Sequence, residues 1–206
     1  VGTGEENNSG DSYYGAGILK STDGGNTWTN YPGPFAGGAN GGARIGGLVV
    51  HPKNSNVLLA AVGCCNPTLT SGVYRSADGG QTWTLTGNAN NSQAYNVIFD
   101  STGANAYASF DGNGVYNSTD GGVTWSADNG TGANALPTGG DTERVALAMD
   151  PNASTTLYAG VAITPFNGGS GELYGLYKTT NGGTSWTLLT NADYCLSQCW
   201  YDNVIA

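Results

Sequence analysis

The octapeptide STDGGNTW, Ser21 to Trp28, returns as SADGGQTW (Ser76 to Trp83) and STDGGVTW (Ser118 to Trp125). A looser copy, TTNGGTSW, runs from Thr179 to Trp186. The copies begin at 21, 76, 118 and 179, which are steps of 55, 42 and 61 residues. Self-similarity at such a period means one supersecondary unit stacked or arranged radially. The unit is wider than its octapeptide. Each of the last three copies is preceded by an apolar run closed by a turn (IGGLVVHPKNSN, NVIFDSTGAN, VALAMDPNAST), a second short run (VLLAAVG, AYASF, TLYAGVA) and a strand entering the octapeptide. A strand such as TWTLTG leaves it. These segments are β-rich and bounded by Gly, Asn, Asp or Pro, and none of useful length has helical periodicity.

Four short strands per unit, repeated, predict an all-β chain: a β-propeller of four-stranded antiparallel blades. With strands named a to d from the axis outward, the octapeptide is the c–d turn. Its glycines supply positive φ, its Asp accepts backbone N–H bonds across the turn, and its Trp anchors the hairpin. The expected blades are 1–35 (partial), 43–88, 94–129 and 143–191, within a single domain of 206 residues. Val1 to Glu5 aligns with a strand b, and Asp202 to Ala206 with a strand a. Residues 200–206 therefore start the next blade or close the first. Two expectations stay open: a blade split between the termini, or a window on a longer propeller.

The pattern S-x-D-x-G-x-T-W resembles the Asp-box, or BNR, repeat of sialidases, sortilin-like receptors, xyloglucanase-type glycoside hydrolases and bacterial secreted propellers. Ser21, Asp23, Gly25, Thr27 and Trp28 match it, as do Ser76 to Trp83 and Ser118 to Trp125 at the same positions. The fourth copy has Thr179, Asn181 and Ser185 beside Gly183 and Trp186. The resemblance implies that Asp23, Asp78, Asp120 and Asn181, with Trp28, Trp83, Trp125 and Trp186, are architectural and lie away from any active site. The four tryptophans are expected to be buried in their blades.

Charge narrows the partners. Six Lys and Arg against fifteen Asp and Glu give a net charge of −9, which disfavours nucleic acid and anionic membrane. No apolar run approaches a membrane span. Scarce Lys with abundant Asn, Ser, Thr and Gly suggests a secreted, extracellular chain. The only histidine, His51, reads as an a–b turn residue, and the cysteines lack zinc spacing, so neither metal nor cofactor is expected. Proximity pairs Cys195 with Cys199, and Cys64 with Cys65 as a vicinal bridge.

In a propeller the b–c and d–a loops share one rim. That rim holds the long connections, all four cysteines and many of the non-motif aromatics, so binding is expected there. Aromatic faces and polar groups suit sugars, and the candidate ligand residues are Tyr13, Tyr14, Trp200, Tyr201, Arg44 and Arg144. Tyrosines that only pack their own loops, and arginines that only bind a neighbouring blade's backbone, are the structural alternatives. A hydrolase would need a pair of carboxylates, one with a raised pKa, and the candidates are Glu5, Glu6, Asp11 and Glu172. The three arginines, with Arg75 beside an Asp-box, do not support a sialidase cluster. FDGNG, Phe110 to Gly114, reads as a b–c turn rather than a calcium loop. The expected function is a binding or assembly module for polysaccharide or glycoprotein glycans, not catalysis. A glycoside hydrolase domain, or a structural subunit that meets other copies through open blade edges, are the alternatives.

Overall fold

A computed structural model describes residues 1–7, 12–37, 41–63, 69–165 and 168–205. Its sheets are all antiparallel and follow the repeat. Blade II is β3 (Ile45–Val50), β4 (Leu58–Val62), β5 (Gly72–Ser76) and β6 (Thr84–Gly87), hydrogen-bonded in that order. Blade III is β7 (Ala94–Phe99), β8 (Ala106–Phe110), β9 (Gly114–Ser118) and β10 (Ser126–Ala127). Blade IV is β11 (Thr142–Met149), β12 (Leu157–Ile163), β13 (Leu173–Thr179) and β14 (Thr187–Thr190). Blade I holds β1 (Ile18–Lys20) and β2 (Thr29–Tyr31), with Gly2 bridged to Ile18 where a strand b belongs. Strands adjacent in sequence are adjacent in space because short turns join antiparallel neighbours. FDGNG is the b–c turn, closed by Asn113 N–H to Phe110 O at 3.1 Å.

The blades stack face to face, and the period-2 alternation of each strand feeds two different cores. On β4, Ala60 and Val62 pack with Ile18, Phe35 and Tyr74 between blades I and II, while Leu59 and Ala61 pack with Val97, Ala108 and Phe110 between II and III. A third cluster joins Tyr107 and Val115 of blade III to Val145, Leu147, Val161 and Trp186 of blade IV. With both faces covered, β8 is buried at every position, which is why its sequence AYASF shows no apolar–polar alternation.

Each octapeptide folds as a turn held by its third residue, an acid in the first three copies and Asn181 in the fourth. Asp78 accepts the Thr82 backbone N–H at 2.9 Å and the Thr82 hydroxyl at 2.6 Å, and Ser76 donates to it at 2.8 Å. Asp23 and Asp120 repeat the pattern. The two turn glycines take positive φ, 76° and 93° at Gly79 and Gly80, which only glycine adopts without strain. Gly79, Gly121 and Gly182 each donate to the a–b turn of their own blade, at Asn56, Ala104 and Thr155. The Asp-boxes and a–b turns therefore share one rim, opposite the b–c and d–a loops.

Two expectations need correction. Trp28 is not buried: it is 50% exposed, whereas Trp186 is 2% exposed. The reason is that the motif Trp packs backward onto the preceding blade. Trp83 meets Phe35 of blade I edge-on at 5.3 Å, and Trp125 donates to Thr86 of blade II at 3.3 Å. Blade I has no such neighbour among the described residues. Second, Asp202, expected to open a strand a, instead ends α1 (Cys199–Asp202), which follows a 3₁₀ turn at Leu196–Gln198. Beyond α1, residues 203–205 form no strand and pair with no part of 1–5 among the described residues.

Candidate functional site

The b–c and d–a loops converge on a buried acid–arginine cluster where the innermost strands begin. Each of those strands carries a bulge near its start, between Ile45 and Gly47, Ala94 and Asn96, and Thr142 and Val145. Bulges leave a residue outside the ladder and re-aim its side chain. Here they set apart Gly46, Tyr95 and the pair Glu143–Arg144.

Glu6 enters this space from the N-terminal loop. It is buried, and neither carboxylate oxygen has a hydrogen-bond partner among the described residues. Its approach needs Gly46 and Gly63, since a Cβ at Gly46 would collide with its Oε2 and one at Gly63 would sit 3.0 Å from its Cγ. Burial holds the Glu6 carboxyl well above its ordinary range, against the pull of Arg144 and Arg44. Glu143 is pushed up to about 7, chiefly by burial and then by Asp111, with Arg144 opposing. Asp111 and Tyr95 are also raised, both chiefly by burial. Burial disfavours the ionised forms of these groups, and the neighbouring guanidiniums oppose it, Arg144 at Glu6, Glu143 and Tyr95 and Arg44 at Glu6.

The arginines tie the cluster to the rim. Arg144 donates to Asn7 Oδ1 at 2.6 Å and to Tyr201 O at 3.3 Å, and lies 5.7 Å from the Tyr95 ring. Arg44 donates to Ser12 O at 3.2 Å and lies 5.4 Å from the Tyr14 ring. The Tyr201 hydroxyl donates to Glu5 at 2.7 Å, and Trp200 meets Tyr201 edge-on at 5.5 Å. The Cys195–Cys199 disulfide, with Cα atoms 5.0 Å apart, fixes the turn that presents this pair. Cys199 is anchored to Ala162 and Leu173, and its N–H reaches Gly171 O at 2.9 Å. Beside Arg144, a cavity of about 200 Å³ is lined by Tyr95, Asn96 and Asn203.

Of the sequence candidates, Glu5, Glu6, Arg44, Arg144 and Tyr201 are brought together. Tyr13 and Tyr14 stand on the same loop, 81% and 55% exposed. Glu172 sits apart, exposed in the β12–β13 loop. Asp11, Cys64 and Cys65 lie outside the described residues. The ligand-site reading had not included Tyr95, Asp111 or Glu143. Repeat register was the available signal, because Gly46, Tyr95 and Arg144 open equivalent strands. No helix of the described residues is long and apolar enough to cross a membrane.

Comparison with known proteins follows the same architecture. A family model for the BNR/Asp-box repeat matches residues 74–85, the strand and turn of blade II. No curated protein sequence matches the chain. Among solved structures, an ancestral GH74 enzyme superimposes with a TM-score of 0.60 at 22% identity, over 87% of this chain and 22% of that one. The Niastella koreensis GH74 enzyme gives a TM-score of 0.55 at 30% identity, over 84% of this chain and 25% of that one. The chain thus spans about a quarter of the length of these relatives. The chain carries a BNR/Asp-box repeat, and its stacked four-stranded blades share the β-propeller fold of these structures.

Proposed function

We propose that the chain is a saccharide-binding propeller unit that uses the b–c and d–a rim. The carrying observation is the pair Tyr13 and Tyr14, 81% and 55% exposed, on the loop whose other residues enter the acid–arginine cluster. Exposed aromatic faces stack on pyranose rings, and nearby carboxylate, amide and guanidinium groups bond hydroxyls. Glu5, Asn7, Arg44 and Arg144 supply those groups. The disulfide supports a secreted location, since such bonds persist in oxidising compartments. Affinity electrophoresis and calorimetry against soluble plant, microbial and animal polysaccharides test the reading. At least one polysaccharide is expected to bind, and Tyr13→Ala with Tyr14→Ala to weaken it tenfold or more. Unchanged binding in that variant sinks the assignment of the site.

Glycoside hydrolysis is the second reading. A carboxyl raised to about 7 at Glu143, beside Asp111, is what a general acid requires, and the 30% identical relative is a GH74 enzyme. Release of reducing ends from the polysaccharide that binds, lost in Glu143→Gln, would establish it. Binding without release leaves the module non-catalytic.

A further inference from the structure

The turn that presents Trp200 and Tyr201 holds a carboxylate against its disulfide. Asp193 Oδ1 lies 3.5 Å from Cys199 Sγ, and the ligand atoms of Asp193, Cys195 and Cys199 all fall within 4.8 Å of one another. Among the described residues, no other three His, Cys, Asp or Glu side chains converge so closely. Main-chain groups fix the carboxylate: Oδ1 accepts the Cys195 N–H at 3.1 Å and the Leu173 N–H at 3.4 Å. Cys199 is buried against Ala162 and Leu173, and its own N–H reaches Gly171 O at 2.9 Å. Cys195 and Asp193 are half-buried. None of the main-chain bonds that place these groups involves the sulfur–sulfur bond.

Two thiolates and one carboxylate suit a borderline or soft divalent ion. Tetrahedral zinc, with bonds of about 2.3 Å to sulfur and about 2.1 Å to oxygen, sets sulfur and oxygen roughly 3.6 Å apart. The Asp193–Cys199 edge has that length. Cys195 and Cys199 are four residues apart, within the spacing of paired zinc thiolates. The cysteine spacing and the single histidine gave no metal expectation because neither counts Asp193. Its two N–H donors are the outer support that ligating carboxylates carry, and Ala162 and Leu173 shield the Cys199 side from water.

We propose that Cys195, Cys199 and Asp193 form a site for a zinc-class divalent cation once the disulfide is reduced, so that a metal replaces the covalent bond across the same turn. A phosphine supplies the two electrons: disulfide, phosphine and water give two thiols and the phosphine oxide. Binding then releases two protons per ion, because the thiolates are the ligands. Water takes the fourth position, which three protein ligands leave open. The oxidised turn has no thiolate and takes no metal. Trp200 and Tyr201 are thus held by a disulfide in an oxidising compartment and by a metal in a reducing one. This goes beyond the saccharide reading and does not depend on it.

Cobalt titration tests it, since thiolate ligation to Co²⁺ gives charge-transfer absorption in the near ultraviolet and tetrahedral ligation gives visible bands. The parent is the full chain with Cys64→Ser and Cys65→Ser, which leaves Cys195 and Cys199 as its only cysteines. Reduced with a phosphine, it is expected to bind one Co²⁺ with both absorptions, to release two protons, and to gain thermal midpoint on binding. Zn²⁺ is expected to displace the cobalt. The unreduced parent is expected to show neither absorption. Asp193→Asn keeps an oxygen that accepts the two N–H bonds but is a poor ligand, and is expected to weaken Co²⁺ binding tenfold or more. Asp193→Ala gives the same reading should the amide perturb the turn. A reduced parent without charge-transfer absorption overturns the proposal. So does an Asp193 variant that binds as the parent does, and so does binding that persists undiminished in urea, where the turn is lost.

Discussion

The indole nitrogen of Trp186 donates to the main-chain carbonyl of Asp128, one blade earlier, at 3.0 Å. The Trp186 backbone N–H reaches the same segment, at Asn134 O, 2.9 Å away. A turn motif that looks local therefore fastens two blades. Trp186→Ala empties a buried site and is expected to cost about 3–5 kcal/mol. Trp28→Ala, in the same motif position without a preceding blade among the described residues, is expected to stay within about 0.5–1 kcal/mol. Urea unfolding of the two variants compares them.

The Asp-box acids predict an acid limb. Thr27, Thr82 and Thr124 hydroxyls, with backbone N–H groups and the box serines, hold Asp23, Asp78 and Asp120 at about 2. A depressed folded pKa contributes stability that is complete above the unfolded value and is lost as pH falls through the folded one. The denaturation midpoint is thus expected to drop between about pH 4, the unfolded value, and about pH 2. Asp78→Asn should make that decline shallower, as read from urea midpoints measured across this range.

Glu143 acts with the opposite sign. Its folded value of about 7 lies above its ordinary 4.5, so the native state binds more protons in between. Stability attributable to this group is lost as pH rises from 4.5 towards 7. Glu143→Gln is therefore expected to raise the denaturation midpoint at pH 8 relative to wild type, and to change it little at pH 4. An equal effect at both values would mean that the carboxyl titrates normally.

The blade order and the Asp-box turns were legible because local chemistry decides them: a carboxylate two residues after a hydroxyl, two glycines, then Thr-Trp. Arg44 and Arg144 were legible as residues at the start of the innermost strands of their blades. What was not legible depends on neighbours. The motif at Trp28 is the same as that at Trp83, and only a preceding blade separates an exposed indole from a half-buried one. Glu6 reads as one acid in a polar loop, and its burial depends on two glycines far along the chain, Gly46 and Gly63. Tyr95 lies in an apolar run, and a bulge, set by pairing rather than by its own identity, turns it to the cluster.

Reducing the Cys195–Cys199 bond releases a short loop, for which the chain-entropy relation gives about 2 kcal/mol. The change is expected at the rim rather than in the blades. Trp200 reports it, since its indole donates to Ser197 O inside the bridged turn at 3.1 Å. Cys195→Ser with Cys199→Ser should alter Trp200 fluorescence and weaken saccharide binding through Tyr201, with a modest loss in thermal midpoint.

The asparagine of the fourth box faces a carboxyl from the blade before it. Asn181 keeps the turn: its Oδ1 accepts the Ser185 N–H at 3.0 Å and its Nδ2 donates to Ser185 Oγ at 2.9 Å. Across the junction, the Asp128 carboxyl is packed so tightly on this box that a Cβ at Gly183 would meet its Cγ at 2.6 Å. Burial already pushes Asp128 up to about 6. An aspartate at 181 would put a second negative charge beside it, and like charges at one site disfavour joint ionisation. Asn181→Asp is accordingly expected to be well tolerated at pH 5, where Asp128 carries its proton, and to lower the unfolding midpoint at pH 8, where both acids ionise. Adding Asp128→Asn should restore the pH 8 midpoint. Equal midpoints for Asn181→Asp and wild type at pH 8 would show that the two carboxylates do not sense each other, and the asparagine would then need another reason.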